Sequence, residues 1–281
     1  MSGLHVDVAG PDDGESVLLL HGGNVGGWMW APVRGQLDSL HTLVPDLPGF
    51  GQSLDLGWNG IDDAADHLAS TIREHAHGGR AHVVGISLGA AVALALVMRH
   101  PDLVRSAIVS GTPIRGLGPV MRVLTRVQLR LWKSVVYWST LGRWYHLPPA
   151  VLETFIEKGI GLDPDAAPEV VRQVNAGIRD LVAQLGGCAV PMLGLAGSRE
   201  STVVTHALAD LARAEHVVLR LAPGKHHVWN LQAPTLFADA VRDWVEHGRP
   251  HLDLAPVPRS VARHARRIAR RARAASGQAT R

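Results

Sequence analysis

The sequence is nearly free of cysteine and has no long hydrophobic run, and both absences limit the kind of protein it can be. Cys188 is the only cysteine among 281 residues, so no intrachain disulfide can form and nothing indicates an oxidising compartment. No apolar run reaches the ~18 residues that a membrane-spanning helix needs. The opening stretch, MSGLHVDVAG, lacks the basic start and apolar core of a secretion signal. We therefore expect a cytoplasmic protein.

Signatures of nucleotide, dinucleotide and metal sites are also missing. The chain contains no phosphate-binding loop and no dinucleotide fingerprint. Its 16 histidines are scattered and lack the paired cysteine or aspartate partners of a metal site. We expect the protein to use no cofactor and no metal ion.

Positive charge is concentrated at the C-terminus. The formal net charge is +3, but residues 251–281 hold eight arginines and one acid, Asp253, so this segment carries +7 and the remainder −4. A narrow apolar stripe with spacings of 4, 3 and 4 residues runs among the arginines: Val261, Ala265, Ile268 and Ala272. The pattern predicts a basic tail over residues 249–281, a loosely held and solvated helix with at most weak contact to an anionic membrane or a nucleic acid.

Short apolar runs alternate with helical patterns along the chain. Seven runs rich in valine and leucine have the composition of buried strands, at residues 6–9, 16–22, 41–47, 82–86, 106–111, 191–197 and 216–222. Helical patterns occur at residues 61–77, 88–100, 202–214 and 231–247. Strands of this kind separated by helices indicate an α/β fold whose mostly parallel, doubly wound sheet is covered on both faces.

One long interval breaks this alternation. Residues 112–189 contain no convincing strand but several helical patterns. We interpret the interval as a helical insertion placed over one edge of the sheet. The predicted organisation is a core built from residues 1–111 and 190–248, a helical cap over residues 112–189, and the basic tail.

The stretch HVVGISLGAAVALALVMRH, residues 82–100, places a serine at an abrupt change from strand to helix. Gly85 and Gly89 leave room where the two elements meet, and a strained turn between them would expose the Ser87 hydroxyl at the carboxyl end of a strand. A G-x-S-x-G sequence is weak evidence by itself, and the alternative is that Ser87 only caps the helix. The change from strand to helix favours a nucleophile.

A serine nucleophile needs a base and an acid that orients the base. His227 begins the HVWNL run after the last predicted strand, whereas His226 lies nearer to that strand. We favour His227 as the base; a structural surface histidine is the alternative, and it is the preferred interpretation of His226. Glu200 is the only carboxylate in GSRESTVV, which follows the strand at 191–197, and we favour it as the acid. The alternative for Glu200 is a solvated surface pair with Arg199.

Four motifs lie within residues 4–248: LLLHGGN at 18–24, DLPGFGQS at 46–53, GISLG at 85–89, and GSRE combined with HHVWN. Together they resemble the α/β-hydrolase family, in particular its serine hydrolases with a helical cap. The resemblance implies an oxyanion hole made by the backbone N–H groups of Gly23 and Leu88. It also implies that His21 orders a loop and that the aspartate, glycines and serine of DLPGFGQS shape a turn. Such family members more often carry aspartate where Glu200 stands.

The type of nucleophile sets the reaction class that the resemblance implies. Relatives that open epoxides or cleave carbon-halogen bonds use an aspartate in this place, so Ser87 argues against both reactions. A serine triad predicts acyl transfer to water, as in an esterase, lactonase or thioesterase. Carbon-carbon bond hydrolases and perhydrolases use the same triad and stay open as alternatives. A binding protein for a small ligand, built on the same fold, is a further alternative.

Tryptophans near the predicted cleft favour an apolar small-molecule substrate. Trp28 and Trp30 follow the predicted oxyanion residue Gly23, and Trp229 follows the favoured base His227. Trp138 lies in the predicted insertion. Aromatic side chains beside a cleft favour apolar groups on the ligand, and we predict that these four line the substrate pocket. Packing in the core is the alternative for each of them.

Overall fold

The computed structural model describes residues 3–112, 114–116, 130–161 and 167–278, and an eight-stranded sheet runs through them. The strands are β1 Val6–Ala9, β2 Ser16–Leu20, β3 His41–Pro45, β4 Ala81–Ile86, β5 Val104–Ser110, β6 Met192–Gly197, β7 Val217–Ala222 and β8 Ala255–Pro256. Their spatial order is β1-β3-β2-β4-β5-β6-β7-β8, and the antiparallel pairs are those at the two edges, β1 with β3 and β7 with β8. The predicted α/β fold with a mostly parallel sheet is confirmed.

Burial of the inner strands explains their sequence. Every residue of β2 and β3 is buried, and because successive side chains point to opposite faces, both faces of the sheet must be covered. The α-helices are α1 Ala31–Arg34, α2 Ile61–His75, α3 Leu88–Arg99, α4 Val135–Trp144, α5 Pro149–Gly161, α6 Ala167–Ala176, α7 Arg179–Ala183, α8 Thr202–Ala207, α9 Trp229–Gln232, α10 Pro234–His247 and α11 Arg259–Gln278. Within the described ranges, no helix is both long enough and apolar enough to cross a membrane.

The candidate catalytic residues follow the carboxyl ends of parallel strands. Gly23 follows β2, Ser87 follows β4, Glu200 follows β6 and His227 follows β7. These ends meet at one edge of the sheet. The strand that follows β2 in the chain, β3, lies on one side of the β2–β4 pair, and the strand that follows β4, β5, lies on the other side. A crevice is expected between β2 and β4 at this change. The fold therefore gathers residues that are far apart in the sequence.

The described part of the chain between β5 and β6 forms four helices joined by turns and loops. Helices α4 to α7 lie in this interval, and an aromatic cluster holds the first two together: the Trp138 ring lies 5.2 Å from the Trp132 ring and 5.4 Å from the Phe155 ring. The predicted cap over residues 112–189 falls here, although its residues 113, 117–129 and 162–166 lie outside the described part of the chain.

The C-terminal tail departs from its prediction, because its helix packs on the body of the protein. Helix α11 lies against the helical turn Leu208–Arg213, and Val261, Ala265 and Ile268 are at most 9% exposed. These three residues of the apolar stripe are therefore part of the core rather than solvated. The described arginines of α11 stay exposed, so any contact with an anionic membrane or a nucleic acid, which stays a prediction, would have to use these arginines rather than the stripe.

Removing the packing of α11 is expected to destabilise the protein. Ile268→Ala should lower the free energy of unfolding by about 2 kcal/mol, because it deletes a buried side chain and leaves a cavity. Arg270→Ala, on the exposed face of the same helix, should change it by no more than about 0.5 kcal/mol. Urea unfolding of both variants measures the difference, and equal midpoints would contradict the packing of the stripe.

Candidate active site

Ser87 occupies a sharp turn between β4 and α3. Its backbone has φ 54° and ψ −114°, a conformation that costs energy for a residue with a side chain. A Cβ atom at Gly85 would collide with the Gly89 carbonyl, and one at Gly89 would collide with the Leu20 carbonyl. The Ser87 side chain makes no capping hydrogen bond to α3, so the turn presents the hydroxyl instead of using it as a helix cap.

A small cavity of about 30 Å³ lies at Ser87. Its polar side chains come from Ser87, Tyr145 and His227. The rest of the lining is apolar or glycine: Gly22, Gly23, Val25, Met29, Ile86, Leu147, Phe155, Val228 and Leu231. The cavity thus brings the candidate nucleophile and the candidate base together. Among the described contacts no hydrogen bond joins the two, and such bonds often tighten only when substrate binds.

The base candidate is held by the acid candidate. His227 Nδ1 lies 3.3 Å from Glu200 Oε2, and Glu200 Oε1 accepts a hydrogen bond of 3.1 Å from the Gly197 backbone N–H. The Glu200 side chain is only 3% exposed, whereas the His227 side chain is 27% exposed. A carboxylate buried in this way is not part of a solvated surface pair, and its contacts suit the orientation of an imidazole.

The environment of His227 favours its protonated form. Burial alone would lower the pKa of the imidazole, but the charge of Glu200 and the hydrogen bond to it together outweigh burial and raise that pKa above its ordinary value. With Nδ1 donating to Glu200, Nε2 is the nitrogen left to accept a proton. The raised pKa makes His227 a stronger base toward a serine hydroxyl.

Gly111 is a site residue that the sequence reasoning missed. It follows β5 with φ +62°, and a Cβ atom there would lie 2.8 Å from His227 Cε1 and 2.9 Å from its Nδ1. Only glycine leaves the imidazole its place beside Glu200 at this point. The signal in the sequence is a glycine that directly ends a strand-like run, SAIVSG.

The neighbouring His226 makes different contacts. Its ring stacks on the His146 ring at 3.9 Å with 7° between the planes, and its backbone N–H donates to Gln232 Oε1 over 3.0 Å. Burial, followed by the positive charges of His146 and Arg199, lowers the pKa of His226. These contacts suit a structural role for His226.

Histidine 21 connects the predicted oxyanion loop to the DLPGFGQS turn. Its buried ring donates from Nδ1 to the Gly22 carbonyl over 2.7 Å, and its Nε2 accepts from the Leu47 N–H over 2.9 Å. Burial lowers its pKa, which keeps the ring neutral with one donor and one acceptor. A Cβ atom at Gly23 would lie 3.8 Å from the Leu88 side chain, so the two predicted oxyanion residues are neighbours.

Asp46, the aspartate of the DLPGFGQS turn, connects that turn to the segment after Gly23. Asp46 Oδ1 accepts from the Gly27 N–H over 2.7 Å, and Oδ2 accepts from the Gln52 N–H over 2.8 Å. Gly51 lies so close that a Cβ atom there would collide with the Asp46 carboxylate. Ser53 Oγ accepts from the His5 N–H over 3.0 Å. The turn therefore positions the segment around Gly27, which follows the predicted oxyanion residue Gly23.

The structure places the four tryptophans predicted for the substrate pocket away from the described cavity at Ser87. Trp30, Trp138 and Trp229 are fully buried and none of the four is among the described residues that line the cavity at Ser87. Trp30 and Trp229 pack on Phe237, and Trp138 packs in the aromatic cluster between α4 and α5. Trp28 lines a separate cleft beside Asp46. Composition indicates aromatic residues near a cleft, but long-range packing decides which of them reach it.

Known proteins share this sequence pattern and this fold. The sequence family described as alpha/beta hydrolase fold matches residues 15–158. An AB hydrolase superfamily protein of Gibberella zeae is 34% identical over 83% of this chain and 80% of that protein. A 2-(acetamidomethylene)succinate hydrolase of Mesorhizobium japonicum is 27% identical over 86% of this chain and 92% of that protein. The structure of an enol-lactonase from Burkholderia xenovorans LB400 superposes with a TM-score of 0.72 at 21% identity, over 87% of this chain and 96% of that one.

Proposed function

Because the chain belongs to the alpha/beta hydrolase family, we propose that it is a serine hydrolase that cleaves a small or medium-sized apolar ester, lactone or thioester. The proposed triad is Ser87, His227 and Glu200. The observation that carries the proposal is that Ser87 and His227 line one cavity while a buried carboxylate holds the imidazole. Nucleophile, base and orienting acid are the three groups that acyl transfer to a serine requires.

The first half of the proposed reaction acylates the serine. His227 Nε2 takes the proton of the Ser87 hydroxyl while Ser87 Oγ attacks the substrate carbonyl carbon. The negative charge on the carbonyl oxygen is stabilised by the backbone N–H groups of Gly23 and Leu88, each worth about 3 to 4 kcal/mol in comparable sites. His227 then returns its proton to the leaving group, and an acyl-enzyme remains.

The second half releases the acid. A water molecule loses a proton to His227 as it attacks the acyl carbonyl, and Ser87 leaves with that proton. Glu200 stays ionised throughout and stabilises the imidazolium that forms in each half. The mostly apolar lining supports a substrate that is itself mostly hydrocarbon.

Covalent labelling tests the proposed nucleophile. A fluorophosphonate probe should attach to Ser87, as read by peptide mass mapping, and Ser87→Ala should lose the label while unfolding at the wild-type urea midpoint. The fold is expected to survive because the substitution removes only a hydroxyl that makes no capping bond.

Ser134→Ala is the matched control for this experiment. Ser134 Oγ accepts a hydrogen bond from the Tyr137 N–H at the N-terminus of α4. Its removal should weaken that end of the helix but leave the labelling of Ser87 intact. A label that persists in Ser87→Ala would show that another residue is the nucleophile. An unlabelled wild-type protein would favour a ligand-binding role, and a panel of esters of graded acyl length would define the substrate range of a labelled one.

A further inference from the structure

Tyr145 is the polar side chain of the described cavity lining that the proposed triad leaves unused. The described contacts give its phenol oxygen no hydrogen-bond partner in the protein, although its backbone oxygen has one. Burial, and secondly the nearby charge of Glu200, raises the pKa of Tyr145 to about 12. The phenol therefore keeps its proton at neutral pH and offers one O–H donor to whatever occupies the cavity.

Two contacts tie Tyr145 to the loop that carries the base. The Gln232 side chain donates from Nε2 to the Tyr145 backbone oxygen over 2.7 Å and accepts at Oε1 from the His226 N–H over 3.0 Å. The next cap residue, His146, stacks on His226. Tyr145 through its backbone oxygen and His146 through its ring are thus both linked to the loop that carries His227, and these contacts anchor the backbone that carries the phenol.

The ring lies beside the catalytic imidazole. Its centroid is 6.1 Å from that of His227 with 30° between the planes, and Phe155 supports it edge-on at 6.2 Å. In the proposed reaction His227 returns its proton to the leaving group, so a group next to the imidazole faces the alcohol portion of an ester. A phenol beside the imidazole therefore suits contact with that portion of the substrate better than contact with the oxyanion.

We propose that the Tyr145 hydroxyl donates a hydrogen bond to an oxygen atom in the alcohol portion of the substrate and so selects esters that carry such an acceptor. A polar group that a bound ligand cuts off from water without a partner costs free energy, and a hydrocarbon alcohol portion would leave the phenol in that state. The inference rests on the proposed function. It narrows the substrate class to esters with an ether, hydroxyl or carbonyl oxygen close to the scissile bond.

A matched pair of esters tests the selectivity. 2-Methoxyethyl butyrate and n-butyl butyrate differ by one ether oxygen in place of a methylene group. In Tyr145→Phe the kcat/KM for the methoxyethyl ester, divided by that for the butyl ester, should fall roughly five- to tenfold from its wild-type value, as expected for one lost neutral hydrogen bond. The butyl ester by itself should be hydrolysed as fast as before or faster.

Tyr137→Phe is the control, since Tyr137 is the other of the two tyrosines, lies on α4, and does not line the cavity. It should leave the ratio unchanged. A ratio that stays at the wild-type value in Tyr145→Phe, or an equal loss on both esters, would overturn the role of Tyr145 while labelling of Ser87 would keep the proposed function intact. Failure of the wild-type protein to label at Ser87 would overturn both.

Discussion

Turnover of an activated ester is expected to fall by about 10⁴ or more when His227 is replaced by alanine. Without the imidazole, nothing in the described cavity lining can take the proton from Ser87, since the phenol of Tyr145 is itself protonated. The Glu200 carboxylate would keep its bond to the Gly197 N–H, so the loss should appear in kcat rather than in folding. Steady-state rates at neutral pH, with a thermal melt of the variant, measure both.

His226→Ala is the matched control for that experiment. It removes the stack on His146 but leaves the hydrogen bond between His227 and Glu200 in place. We expect a loss below about tenfold, because the contact that orients the base survives. Equal losses in the two variants would contradict the assignment of His227 as the base.

Glu200→Gln is expected to lower turnover by about 10² to 10⁴, with KM little changed. The amide keeps the shape of the carboxylate and can keep the bond from the Gly197 N–H, but it carries no charge to stabilise the imidazolium and can favour the wrong imidazole tautomer. The equivalent substitution in a serine protease triad costs about 10⁴ in kcat. Full activity of Glu200→Gln would show that Glu200 does not orient the base.

The same substitution should also move the acid limb of the pH profile. Only neutral His227 can accept a proton, so activity is lost as pH falls through its pKa. Because the negative charge of Glu200 raises that pKa, removing the charge lowers it. The acid limb of the kcat/KM profile should therefore shift to lower pH in Glu200→Gln, and the plateau of the profile should be lower. A general loss of folding would lower the plateau without shifting the acid limb.

Shortening the same side chain tests the geometry separately from the charge. Glu200→Asp keeps the carboxylate but draws it back from a partner that already lies 3.3 Å away. We expect a loss smaller than that of Glu200→Gln, with the acid limb less displaced. A variant with aspartate that is as slow as the glutamine variant would mean that distance matters as much as charge.

Seven of the eight strands and the main core helices were predictable from the sequence, with their bounds correct to within about two residues. The segments around α8 and α9 are the exceptions. Buried parallel strands need unbroken valine and leucine runs, and that requirement is local. Strand β8 was missed, because Ala255–Pro256 is a two-residue edge strand with a proline and owes its pairing to β7. The packing of the tail was not predicted for a related reason: a narrow stripe in which two of the four residues are alanine is compatible with solvent or with a partner surface.

The sequence by itself determined the turn at Ser87 and the chain order of the candidate nucleophile, acid and base. Those features depend on local sterics, since Gly85 and Gly89 admit the close approach of strand and helix that any larger residue would block. Only the tertiary structure decided that three tryptophans pack in the core, that Gly111 makes room for His227, and that Tyr145 reaches the cavity. Each of these depends on which distant segments meet, and contacts between distant segments leave no periodic trace in the residues that make them.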